Sequence, residues 1–282
     1  MTKSQKVFIS ISCILVACLI GLMGYGLYDL NKQLDNQITI VEEEKDPNKT
    51  YLEDIQGNET LNVFRTSKWT TFLSSDSSSL SGIYLLHEDG SVTLEWDSGY
   101  NWKYNFELPN GNVLISSTVS STGILLYNFE TNVFSLIYDY GNTWNYFYKL
   151  SNGNVLISTS TTASSSNSVG ILFYDATTSQ IRQVYSFGKY YQNFYEVPNF
   201  NVLISSSSSS VSGIYLFNSA MVEVTKIYNT GKKWNIFEKE ENGIKISSSS
   251  NAEQGMVYYN FETGTCAPVE DDVEATELGL VA

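Results

Sequence analysis

The chain has 282 residues and a formal net charge of −14, with 16 Lys or Arg against 30 Asp or Glu. That balance excludes a nucleic-acid binder, which needs clustered cations. With 14% aromatic and 16% charged residues a wholly disordered chain is excluded as well. One histidine and three cysteines cannot build a disulfide scaffold or a His/Cys metal site, so neither metal nor cofactor is expected.

Residues 1–6 carry Lys3 and Lys6, and 7–28 hold 22 positions without a charge. That length spans the roughly 30 Å of a bilayer core as a helix. The flanking charges predict a type II signal-anchor, with the N-terminus cytoplasmic and the C-terminal domain extracytoplasmic. Two alternatives stay open. A cleaved signal peptide would end near Gly24 and Gly26, and Leu15-Val16-Ala17-Cys18 has the look of a bacterial lipobox. Either would make the product secreted or lipid-anchored.

Cys13, Ala17 and Gly21 give the membrane segment a small-residue face that allows helix pairing. Residues 29–59 read as a stalk and linker. Leu27, Leu30, Leu34, Ile38 and Val41 follow a helical spacing that also allows self-association. Asn48-Lys49-Thr50 and Asn58-Glu59-Thr60 are glycosylation acceptors if the host is eukaryotic.

From residue 60 to 269 the chain repeats itself. Asn112-Val113-Leu114-Ile115-Ser116-Ser117 returns at Asn154 and Asn201, with divergent copies ending at Ser75 and Ser248. Each copy is followed by a Ser-rich turn and a Gly-led apolar run. Repeats begin near residues 60, 102, 144, 191 and 234, at spacings of 42, 42, 47 and 43. Each holds four strand-like runs. In the second these are 104–108, 112–117, 124–128 and 133–138.

Four strands in about 43 residues is the size of a propeller blade. Middle runs such as Val113-Leu114-Ile115 are apolar on both faces, as stacked blades require. The expected fold is all-β, a five-bladed β-propeller. An open stack would leave two apolar end faces exposed to solvent, which proteins avoid, so five such units are expected to form a five-bladed ring. Residues 270–282 read as an acidic, solvated tail.

The junctions between repeats carry a motif. Asp139-Tyr140-Gly141-Asn142-Thr143-Trp144 has an Asp-x-Gly-x-Thr-Trp core, and Asp97-Ser98-Gly99-Tyr100-Asn101-Trp102 keeps Asp, Gly and Trp. Gly188 with Tyr191, and Gly231 with Trp234, mark weaker copies. This resembles the Asp-box, or BNR, repeat of sialidase-like propellers. The resemblance implies a structural turn in which a short polar side chain caps the backbone, Gly takes a positive φ and the aromatic packs inward. Glu95 and Ile137 stand where the family has Ser or Thr.

Sialidases bind their carboxylated sugar with three arginines, and this chain has only Arg65 and Arg182. Phe64-Arg65 resembles the start of a sialidase signature, but Thr66 and Ser67 replace its Ile-Pro. No catalytic residue is therefore assigned, and the chain is expected not to be an enzyme. His87 lies in a turn-like His87-Glu88-Asp89-Gly90. Asp97, Asp139, Glu107 and Glu196 are the carboxylates that could meet across blades. Tyr100, Tyr140 and Tyr190, each within two positions of a junction Gly, are the candidate ligand platform. The expected function is a membrane-anchored surface recognition module for glycan or protein. The alternative is a structural component of a cell envelope or virion.

Overall fold

The computed structural model describes residues 61–269, except 77, 79–80, 120–122, 141–142, 161–169 and 209. The expected membrane segment 7–28 and stalk 29–59, with Asn48, Asn58, Gly141 and the expected tail 270–282, lie outside the described residues. Among those described, no helix is long and apolar enough to cross a membrane.

The described chain is all-β and forms five four-stranded sheets in succession, each an antiparallel meander. The first holds β1 (Leu61–Arg65), β2 (Thr71–Ser75), β3 (Ile83–Leu86) and β4 (Val92–Trp96). The second holds β5 (Trp102–Glu107), β6 (Val113–Ser117), β7 (Ile124–Asn128) and β8 (Val133–Tyr138). The third holds β9 (Trp144–Lys149), β10 (Val155–Thr159), β11 (Ile171–Asp175) and β12 (Gln180–Tyr185). The fourth holds β13 (Tyr191–Val197), β14 (Asn201–Ser206), β15 (Ser212–Asn218) and β16 (Glu223–Lys232). The fifth holds β17 (Ile236–Lys239), β18 (Gly243–Ser247), β19 (Met256–Asn260) and β20 (Cys266–Val269).

Four core clusters each join two neighbouring sheets. Val113 and Ile115 of β6 point back to Phe72 and Ile83 of the first sheet. Leu114, between them, points forward to Trp144, Val155 and Ile157 of the third. A strand buried on both faces needs no polar alternation, which is why the repeat reads Val-Leu-Ile. The same alternation carries Leu156 toward the fourth sheet and Leu203 toward the fifth. First strands add stacked rings across the interfaces. The pairs are Phe106 with Phe147 at 5.6 Å, Tyr148 with Phe194 at 5.1 Å and Tyr195 with Phe237 at 5.3 Å.

Hydroxyl side chains at the ends of the second strands of the first four sheets act as staples. The first of two adjacent positions reaches the next repeat: the Ser158 hydroxyl donates to the Tyr191 carbonyl and Ser205 to that of Trp234. Ser74 Oγ accepts the Trp102 N–H at 3.0 Å. The second holds the junction loop of its own repeat. Ser117 Oγ donates to Tyr100 O at 2.6 Å and Ser206 Oγ to Lys189 O at 2.7 Å. A buried hydroxyl must be paired, and the bonds named here each tie two segments together.

The fifth sheet ends the series differently. In register with Leu114, Leu156 and Leu203 stands Lys245, and with Phe106, Tyr148 and Tyr195 stands Glu238. Lys245 pairs with Glu240 at 2.7 Å, and their side chains keep 38% and 32% exposure. The premise that an unpartnered face of such a repeat would be apolar therefore does not hold for the fifth sheet. The opposite end is apolar: Leu73, Tyr84 and Val92 are buried, with Leu61, Val63, Leu86 and Leu94 packed against them.

Candidate functional site: the junction loops

In each meander the hairpins β1–β2 and β3–β4, and their counterparts, lie at one end. The Ser-rich turns and the junctions to the next sheet lie at the other. The junction loops are built around an inward aromatic. Trp102, Trp144, Tyr191 and Trp234 are all buried. Each indole N–H turns back to close its own loop: Trp102 Nε1 donates to Ser98 O at 3.2 Å, Trp144 to Tyr140 O at 3.1 Å and Trp234 to Thr230 O at 3.2 Å. Gly99, Gly188 and Gly231 adopt φ of 68°, 74° and 71°. A Cβ at Gly188 would stand 2.4 Å from the Tyr191 hydroxyl oxygen, and one at Gly231 would stand 2.3 Å from the Trp234 ring. The glycine is thus demanded twice, by backbone and by ring.

The Asp97 carboxylate accepts no hydrogen bond among the described residues, so capping by this side chain is not what closes its loop. Thr143 Oγ1 instead donates to Thr118 O at 3.0 Å, tying a junction to a neighbouring Ser/Thr turn.

The three candidate tyrosines fall at three different places in the repeat. Tyr140 precedes the junction glycine, Tyr100 follows it, and Tyr190 stands two after it. They are not one recurrent platform. Tyr140 is 51% exposed, whereas Tyr100 and Tyr190 are half-buried. Tyr190 sits at φ 57° beneath Lys189, whose Nζ lies 5.3 Å from its ring.

The residue that matches Tyr140 is Phe187, 68% exposed at the next junction. The signal was legible, since Ser186-Phe187-Gly188 aligns with Asp139-Tyr140-Gly141. Counting distance from Gly without regard to side hid it. Both rings rest edge-on against a tyrosine of the preceding strand: Tyr140 on Tyr138 at 5.6 Å and Phe187 on Tyr185 at 5.9 Å. Those tyrosines in turn meet Trp144 at 5.7 Å and Tyr191 at 6.0 Å. Burial, with Tyr140 nearby, pushes the Tyr138 phenol up to about 12. Burial, with Tyr215 beside it, does the same for Tyr185, and burial raises Tyr191 further still. The supports are neutral phenols at physiological pH.

The carboxylates separate. Asp97 and Asp139 are at the junction end, while Glu107 and Glu196 are at the hairpin end. Glu107 accepts the Ser67 N–H at 2.8 Å and its hydroxyl. Glu196 accepts the Ser151 N–H at 2.8 Å and its hydroxyl at 2.6 Å. Both are clamps between neighbouring sheets. His87 Nε2 lies 2.8 Å from Thr93 Oγ1, which donates to Glu95 at 2.6 Å, all within one hairpin. Burial pushes the Cys266 thiol up to about 12, which makes it a poor nucleophile. Among the described residues no three His, Cys, Asp or Glu group as metal ligands.

No family model and no curated protein matches the chain. Solved structures do. The extracellular domain of the one component system BT4673 from B. thetaiotaomicron is 17% identical, with a TM-score of 0.40 over 79% of this chain and 33% of that one. PorZ, a surface component of the type-IX secretion system of Porphyromonas gingivalis, is 11% identical, with a TM-score of 0.38 over 73% and 33%. A gluconolactonase from Xanthomonas campestris, XC5397, is 10% identical, with a TM-score of 0.37 over 74% and 75%. The chain spans about a third of the length of the first two. Likenesses at this level carry no functional conclusion.

Proposed function

We propose that the chain is a non-enzymatic surface recognition module. In this reading the five sheets are the blades of a propeller-type array with Asp-box-like junctions. Residues 7–28 anchor it in a membrane with the array extracytoplasmic, and the junction end meets a glycan or protein. The observation that carries the reading is the pair Tyr140 and Phe187. These are large apolar rings held in solvent at the same loop position of consecutive repeats. Trp144 and Tyr191, four residues further on in each junction, are buried.

The test is a glycan array together with pull-down from host envelope fractions, using detergent-solubilised full-length protein. Saturable binding weakened by Tyr140→Ala, with the fold intact, supports recognition. A blank array with tight co-purification of an envelope component that Tyr140→Ala leaves unchanged supports a structural role instead. Turnover of a fluorogenic glycoside or ester, abolished by one carboxylate substitution, would overturn the non-enzymatic reading. Intact-mass analysis tests the anchor, which fails if residues up to Gly26 are missing.

A further inference from the structure

We propose that the free edge of β8 docks an extended segment of a partner protein by strand addition, and that this segment has an uncharged apolar core flanked by lysine or arginine. The surface goes beyond the junction-loop reading, because it is a strand edge and not a loop ring.

The first observation is what the edge lacks. Each sheet leaves its first and last strands paired on one side only, which gives ten edge strands. An edge exposes unpaired N–H and C=O groups, and proteins blunt it with charge or proline. Nine of the ten follow that rule. Every first strand carries Lys, Arg or Glu. Among the last strands, β4 carries Glu95, β12 Arg182, β16 Glu223 and Lys226, and β20 Pro268. β8 reads Val-Phe-Ser-Leu-Ile-Tyr and has neither charge nor proline.

The second observation is where apolar side chains meet solvent. Of the large hydrophobic residues exposed in the described chain, only Val133 at 55% and Leu136 at 41% lie on strands, and both are on β8. The register shows that each replaces a polar residue. Leu136 pairs with Leu125 as Gln183 pairs with Leu172 and Lys226 with Tyr215. Val133 pairs with Asn128 as Gln180 pairs with Asp175 and Glu223 with Asn218. Folding of the strand does not depend on these two, since Phe134 already anchors it against Phe72, with ring centroids 5.5 Å apart. Three positions apart on a strand, Val133 and Leu136 offer an apolar contact on each face of the sheet.

The third observation is charge, and it selects the occupant. Exposed Glu130 and Asp139 bracket the six uncharged residues. A second copy's β8, laid antiparallel on this edge, would bring its own Glu130 and Asp139 near these, in a chain of net charge −14. A segment with basic flanks removes that repulsion and neutralises both carboxylates. Main-chain bonds to the edge supply affinity, while Val133 and Leu136 favour apolar side chains beside them.

The test is fluorescence anisotropy of full-length protein in lipid nanodiscs with a labelled peptide, Lys-Lys-Val-Thr-Val-Ile-Thr-Val-Lys-Lys. One companion peptide replaces the four lysines by glutamate. Another carries N-methyl groups on its six central residues, which removes the donors a strand needs. The expected result is saturable binding of the first peptide, with each companion weaker by about tenfold or more. Leu136→Lys imports the residue that β16 carries at this register, so the fold should tolerate it, as circular dichroism would verify. It should weaken the first peptide by about tenfold or more. Bound peptide should also slow amide hydrogen exchange at 133–138, a readout that needs no variant.

Equal binding of the three peptides, binding unchanged by Leu136→Lys, or no slowing of exchange at 133–138 would overturn the proposal. So would a chain that binds none of the peptides but forms dimers in sedimentation that Leu136→Lys abolishes, which would assign the edge to a second copy. Either failure leaves the junction-loop reading standing, because Tyr140 and Phe187 lie outside the strands.

Discussion

The fourth and fifth sheets are built from the same strand pattern and meet opposite fates. On the forward face of the fourth, Leu203 and Ile214 are completely buried against the fifth. On the forward face of the fifth, the matching positions are Lys245, in an exposed ion pair, and Met256, half-buried. A repeat whose neighbour covers it needs apolar residues there. A repeat that faces solvent needs charge, as the terminal units of repeat arrays generally do. The fifth repeat is therefore a cap in composition, and the interior repeats show what it would cost to place that composition inside.

The largest effect should come from moving the cap inward. Leu156→Lys removes a buried leucine and places an ammonium between the third and fourth sheets. Lost burial and charge desolvation together should exceed about 4 kcal/mol. Urea unfolding should find the variant mostly unfolded at 25 °C. The reverse change, Lys245→Leu, should shift stability by less than about 1 kcal/mol, since an exposed pair contributes little. If Lys245→Leu instead stabilises by 3 kcal/mol or more, another surface covers that face and the cap reading is wrong.

The glycines that open each third strand sharpen the contrast. A Cβ at Gly170 would lie 1.9 Å from the Tyr185 carbonyl oxygen, and one at Gly123 would lie 2.0 Å from that of Tyr138. At Gly255 nothing lies within 4 Å, although φ is still 75°. Gly255→Ala should cost about 2 kcal/mol, from the backbone alone. Gly170→Ala should cost about 2 kcal/mol more, because the overlap is with backbone that cannot turn aside. Equal losses in thermal melts would mean that the interior strands relax freely.

Much of this was legible in the sequence because the repeat is a physical unit. Three of the four runs read in the second repeat differ from the observed strands by one residue or less, and the hydroxyl staples explain why Ser-Ser recurs. The first strand begins earlier, at Trp102. A bulge between Trp102 and Tyr104 lets the junction aromatic pair with Ser117, and no local propensity announces a bulge. The candidate site was only partly legible. Exposure decides whether a ring is a platform or a wedge, and Tyr140 and Trp144 are four residues apart with opposite answers. Distance from the glycine could not separate Tyr190, held at positive φ beneath Lys189, from Phe187, which is 68% exposed. The polar face of the fifth sheet was written in Glu238 and Lys245, but only the register shows that they replace ring and leucine.

Alkaline pH should weaken the interior interfaces selectively. Tyr138 and Tyr185 are held near 12 by burial, whereas an unfolded tyrosine titrates near 10. Above pH 10 the unfolded chain releases protons that the folded chain keeps. The contribution of these two groups is therefore flat below pH 10 and is lost as pH rises from about 10 toward 12. Urea midpoints at pH 8, 10 and 11 should show the decline, and Tyr138→Phe with Tyr185→Phe should reduce its slope. A slope unchanged in the double variant would assign the decline to other groups.

The smallest effect tests the first repeat, which departs from the interior at its opening hairpin. Where the second and third repeats place Gly111 and Gly153 at φ of 89° and 91°, the first places Trp69 at 69°, with 58% of the residue exposed. A left-handed conformation costs a bulky residue about 1–2 kcal/mol. Trp69→Gly removes that cost. It also gives up the Arg65 guanidinium held 4.2 Å from the indole centroid, worth about 0.5–1 kcal/mol at an exposed site. The added freedom of the unfolded glycine takes roughly another 0.5–1 kcal/mol. The three terms nearly cancel, so Trp69→Gly should change stability by no more than about 0.5 kcal/mol in urea titration. Trp144, buried at its junction, could not be removed so cheaply. A loss above 2 kcal/mol at Trp69 would mean that its ring supports the hairpin and that the first repeat is as tightly specified as the interior ones.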